Sequence, residues 1–167
     1  TGVIFVLTPD MSGFLGIENK GFFFGFYVVS TIFVRLFTSS LSDRIGRRET
    51  MLIGASLLFV AMILLSRVDS YESFVLAAIV FGLATGVSSP TLFAWTADLS
   101  DIKRRGVGAG TLFIALEIGI MLGSSSTILT YDNTKESIEN VFLFGILMSF
   151  LAIMYLIWHK IYRTSDF

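Results

Sequence analysis

Residues 35–54 read "RLFTSSLSDRIGRRETMLIG". Four arginines and two acids sit in one short link between two long apolar runs. That density is unexpected in a chain with 54% hydrophobic and only 15% charged residues. A soluble domain of this length could not cover its surface with so few charges. A helix crossing roughly 30 Å of hydrocarbon needs about 20 mostly apolar residues. Gly21–Leu41, Thr50–Ser66, Ser73–Ala97, Gly106–Thr130 and Asn140–Ile157 meet that test. Residues 1–15, "TGVIFVLTPDMSGFL", read as the outer part of a sixth span whose beginning is missing. No period-two pattern competes, and helices satisfy their own backbone in lipid. The sequence predicts an all-α integral membrane bundle: five complete transmembrane helices plus a partial sixth at the N-terminus. Residues 1–167 form one transmembrane domain in this reading.

The connectors fall into two classes. "SDRIGRRET" carries Arg44, Arg47 and Arg48, "DLSDIKRRG" carries Lys103, Arg104 and Arg105, and the tail adds Lys160 and Arg163. The alternate links hold only Lys20, Arg67 and Lys135. The positive-inside rule places the first set and the C-terminus in the cytoplasm, most simply at a plasma (inner) membrane. His159, beside Trp158, reads as an interfacial anchor. The chain has no cysteine and a net charge of −1, which removes disulfides, cysteine-based metal sites and thiol nucleophiles. Nothing calls for nucleic acid, a metal or a cofactor.

Topology needs positive charge alone, so the order of residues in the link asks for more. Arg35, Leu41, Asp43, Arg44, Gly46, Arg47 and Arg48 resemble the loop R-x-x-x-G-x-L-x-D-R-x-G-R-R of the major facilitator superfamily of secondary transporters, with Ser39 in place of the first glycine. That loop joins the second and third spans of each six-helix half. "GLATGVSSPTLFAWTADLSDIKRRGVGAG" resembles the fourth-to-fifth span region, with its proline, Pro90, and an acid-x6-Arg pair filled by Asp98 and Arg105. Asp101 stands where a proline is frequent. The resemblance implies one half of such a fold. The short tail suits the C-terminal half, its partner being an N-terminal half of the same transporter. It further implies that Arg35, Asp43, Arg44, Gly46, Arg47, Arg48, Asp98 and Arg105 gate the conformational change, Arg35 contacting Asp43 or a neighbour. In physical terms, Gly46 permits a tight turn. Asp43 can accept from helix-end N–H groups, and arginines can bridge acid and helix end.

A charge near the bilayer centre costs about 2.5–3.5 kcal/mol and needs a reason. Glu117 lies mid-span, with Gly106, Gly110, Phe113 and Ser124 within roughly 40° of it on a helix. It is expected to face a bundle interior or cavity and to carry a proton, the bland alternative being a protonated acid bonded to a neighbouring helix. Gly119 and Gly123 form a small-xxx-small pair. Asp10, after Pro9, is a candidate for substrate contact or a simple polar helix end. Pro90 with Gly82 and Gly86 reads as a kink and a thinned helix. The expected function is secondary active transport of a small solute by alternating access, proton-coupled, with a lean towards efflux. The alternative is a channel or structural membrane subunit. An intramembrane enzyme would need paired catalytic groups at membrane depth, and none stand out.

Overall fold

A computed structural model describes residues 1–38 and 41–163, without the side chains of residues 38 and 159–163. Ser39, and the side chains of His159, Lys160 and Arg163, therefore lie outside the described residues. The chain folds into helices α1 (Gly2–Phe14), α2 (Phe22–Thr38), α3 (Leu41–Ile45), α4 (Arg47–Ser66), α5 (Tyr71–Leu99), α6 (Arg105–Thr130) and α7 (Lys135–Arg163). Among the described residues there is no strand. Four helices, α4 to α7, are long and apolar enough to cross a membrane. Helix α2, at 17 residues, sits at the short end of what spans. Helix α1, at 13 residues, covers about 20 Å at 1.5 Å per residue, less than the hydrocarbon thickness.

Several boundaries differ from those expected, for local reasons. Within the run Gly21–Leu41, α2 is described to Thr38 and α3 from Leu41, residues 39 and 40 lying between them outside the described residues. Helix α4 begins at Arg47 rather than Thr50, because Gly46 at φ 101° separates it from α3. Helix α5 begins at Tyr71, where Ser70 and Ser73 form a reciprocal capping box. Helix α7 begins at Lys135 rather than Asn140, since Asp132 accepts from the Thr134 N–H at 3.2 Å and hydroxyl at 2.6 Å. Those hydroxyl contacts, from Thr134 and then Ser137, hold the Asp132 carboxyl below its usual range. Asp101 accepts from the Lys103 N–H at 2.8 Å and so starts a 3-10 turn, Ile102–Arg104, where a proline was the family habit.

Glycines set the packing. A Cβ on Gly82 would lie 2.6 Å from the Tyr27 carbonyl oxygen, and one on Gly86 would lie 2.2 Å from Val34 Cγ1. These two residues therefore seat α5 on α2, where the Thr31 hydroxyl also donates to the Gly82 carbonyl at 3.1 Å. Gly54 does the same for α4 against Ser88 of α5, and Gly145 for α7 against Met62 of α4. Of the pair on α6, a Cβ on Gly123 would lie 3.4 Å from the Val3 nitrogen, while one on Gly119 would meet nothing within 4 Å. Helix α5 runs through Pro90 as continuous helix, leaving the Gly86 carbonyl without its i+4 donor. The apolar core, with Ile4, Leu7, Phe23, Leu65, Phe74, Phe81 and Phe142, lies towards the end opposite the Arg47 link.

Gly46 has a conformation that a side chain resists. Its φ of 101° lies in the glycine region, and a Cβ would meet Glu49 Oε2 at 2.7 Å. Gly46→Ala is expected to cost about 1–3 kcal/mol. Thermal unfolding in detergent checks this: a lower melting temperature is the expected result.

Candidate functional site

Arg47 is the first residue of α4, placed by the Gly46 turn beside the end of α3 and the end of α5. Its Nε donates to Asp98 Oδ2 at 2.8 Å. Its Nη1 donates to Asp43 Oδ1 at 2.5 Å and to the Ser42 hydroxyl at 2.6 Å. One guanidinium thus ties α3, α4 and α5 together. Only arginine has donors fixed in a plane to do this. The Arg47 side chain is 25% exposed, Asp43 62% and Asp98 54%. The clasp is therefore partly hydrated, and Coulomb attraction in it is well screened. Arg47–Asp98 also brings the two basic links to one end of the bundle.

The other gating candidates are distributed differently. Arg35 is exposed and makes no ion pair among the described residues; Asp43 goes to Arg47 instead. Arg48 pairs with Glu49 at 2.9 Å, and its Nε is buried without a partner. Arg44 and Arg105 are exposed and likewise make no ion pair among the described residues. Asp98 and Arg105 share a sequence pattern but no ion pair. Gly46 supplies the turn, and Thr50 returns its hydroxyl to the Gly46 carbonyl at 2.9 Å. Ser42 completes the clasp, and no sequence signal paired it with Arg47.

Glu117 does not face the interior of these helices. It lies on an exposed stretch of α6 with Phe113 and Ile114, and Gly106 and Gly110 beside it meet nothing within 4 Å. The reason is that α6 is hardly covered: 6% of its most apolar window is buried, against 44% for α5. Pro90 is exposed on α5. Among the described residues no group of three or more His, Cys, Asp or Glu could hold a metal.

At the opposite end, Asp10 is half-buried on α1. It faces the hydroxyl of Tyr131, whose pKa is pushed up to about 12, first by burial and then by the Asp10 carboxylate. No sequence signal pairs residues so far apart in the chain. Asp69 and Lys135 form a second bridge at this end, between the α4–α5 link and α7.

The sequence profile of the Major Facilitator Superfamily matches residues 1–165. The D-xylose transporter of Levilactobacillus brevis is 24% identical over 122 residues, 73% of this chain and 26% of that protein. Multidrug resistance protein MdtL of Shewanella sp. (strain ANA-3) is 35% identical over 82 residues, 49% of this chain and 21% of that protein. The galactose-proton symporter of Escherichia coli (strain K12) is 25% identical over 118 residues, 70% of this chain and 25% of that protein. The chain spans about a quarter of the length of the curated relatives it matches. No solved structure matches it significantly. A profile match across nearly the whole chain, on a bundle of apolar helices with a clasp built from the loop residues, has one consequence: this chain is an integral membrane protein belonging to the Major Facilitator Superfamily.

Proposed function

We propose that the chain is the C-terminal six-helix half of a secondary active transporter that moves a small solute by alternating access, coupled to protons. Its basic links and C-terminus lie in the cytoplasm, at the plasma (inner) membrane. The N-terminal half of the same transporter covers the open face of α6. The relatives' names support transport rather than catalysis, and the sugar and multidrug proteins among them keep both uptake and efflux in play; the sparse polar groups lean to efflux. The observation that carries the reading is the Arg47 clasp across α3, α4 and α5. A gate contact must open and close in every cycle, so it cannot be worth many kcal/mol. A half-hydrated ion pair, exchanging its partners for water at little net cost, meets that requirement.

Glu117 is the proton carrier in this reading. Under an opposing half it would leave water, and a carboxyl so placed binds and releases a proton as its surroundings change. The test uses proteoliposomes of the full-length transporter that contains this half, with an imposed pH gradient and three probes: D-xylose, D-galactose and ethidium. One probe is expected to move against its gradient. Glu117→Gln is expected to lower that accumulation at least tenfold while counterflow exchange continues. No movement of any probe with gradient-independent leakage of ions would support a channel instead. Unchanged accumulation in Glu117→Gln would remove Glu117 from the coupling.

A further inference from the structure

The end of the bundle remote from the Arg47 clasp holds a shallow, open cavity of about 330 Å³, lined by Pro9, Asp10, Gly13, Phe14, Lys20, Tyr131 and Asn133. Its charges are one carboxylate and one ammonium, from α1 and from the α1–α2 link. Asp10 and Lys20 line the same space yet form no ion pair with one another. Opposite charges that face a common cavity without closing on each other leave room for something between them. Tyr131, just past the end of α6, lies beside Asp10 and raises no competing charge against it. Asn133 sits at φ 64°, a left-handed conformation that asparagine tolerates better than most residues. That places an amide, both donor and acceptor, at the rim. Pro9 and Phe14 add an apolar wall.

We propose that this cavity is an outer binding site for a small zwitterion of the α-amino-acid type with an apolar side chain. The ammonium of the ligand pairs with Asp10, its carboxylate with Lys20, and its side chain rests against Phe14 and Pro9. A neutral ligand would leave both charges facing each other across the site, and a simple cation would be repelled by Lys20. Tyr131 is a positioning residue: it holds Asp10 in place and does not itself compensate ligand charge. Use of the site in transport rests on the transporter reading; binding does not.

The cavity offers a substitution that fills it and spares the charged groups. A Cβ on Gly13 meets nothing within 4 Å, and Gly13 is exposed, so Gly13→Leu extends into the cavity without displacing backbone. L-leucine binding to the protein in nanodiscs, by isothermal titration, is the measurement. Binding is expected in the unmodified protein, with at least tenfold loss in Asp10→Asn, Lys20→Gln and Gly13→Leu. Isoamylamine and 4-methylpentanoate, each lacking one charge, are expected to bind at least tenfold more weakly than leucine. Tyr131→Phe is expected to weaken binding less than Asp10→Asn. Melting temperatures of the variants separate lost binding from lost folding. No leucine binding, or binding indifferent to both Asp10→Asn and Lys20→Gln, would overturn the site. Movement of leucine is read separately in the proteoliposomes above: binding without leucine movement keeps the site and removes leucine as a transported substrate, while the transporter reading stands or falls on its own three probes.

Discussion

Gly82→Val is expected to be among the most destabilising single substitutions in this chain. The new Cβ would stand 2.6 Å from the Tyr27 carbonyl oxygen and 2.7 Å from Ser30 Cβ. One of these is backbone, which has no flexible end to swing aside. Helix α2 must then move off α5, breaking the Thr31 bond to the Gly82 carbonyl and loosening the Tyr27–Phe81 stack, whose ring centroids lie 5.1 Å apart. Overpacking of this kind costs about 3 kcal/mol, a fall of about 6–12 °C in melting temperature for a chain of this size. Gly106→Val and Gly110→Val are the matched controls. A Cβ at either meets nothing within 4 Å, so both are expected to melt with the unmodified protein. Equal melting of Gly82→Val and Gly110→Val would mean that α2 does not seat on α5 as described.

Arg47→Gln is expected to have the opposite profile, with a large effect on transport and a small one on stability. The substitution removes a donor from Asp98, Asp43 and Ser42 together. Both carboxylates are more than half exposed, so water takes over their solvation and the fold tolerates the loss. The balance between conformations does not. A contact present in one state and absent in the other shifts the equilibrium by its whole differential value. A transport rate about tenfold lower, with a melting temperature within about 2 °C of the unmodified protein, is the expected result. Arg47→Lys is expected to fall between, because an ammonium cannot hold two carboxylates in fixed directions. A large drop in melting temperature with transport per folded molecule unchanged would make the clasp structural.

Much of this architecture was legible in the sequence because lipid imposes a simple rule. A run of about 20 apolar residues is a span, and arginines and lysines mark its ends. That rule located α4 to α7, and the order of residues in the link pointed to the family before any contact was known. What it left out depends on neighbours. Gly82 and Gly86 read as a weak point in α5, whereas they are the surface on which α2 sits. Periodicity assigned Gly106, Gly110 and Phe113 to the face of Glu117 but says nothing of whether that face is covered, and in this bundle it is open. The sequence pattern offered Arg35 as the partner of Asp43 or a neighbour; Gly46 at φ 101° turns α4 so that Arg47 takes the place. The Asp10–Tyr131 and Asp69–Lys135 contacts depend on which helix packs on which, and local pattern carries no record of that.

A double-mutant cycle between Arg47 and Asp98 tests the clasp most directly. Transport of whichever probe the proteoliposomes carry would be measured in Arg47→Gln, Asp98→Asn and the pair of substitutions together. If the two side chains act through one contact, each single substitution removes that contact and the second adds little. The double variant is then expected to transport within about twofold of the weaker single variant. Effects that multiply, with two losses of about tenfold giving about a hundredfold, would mean that Arg47 and Asp98 act independently, and the clasp would not be the gate.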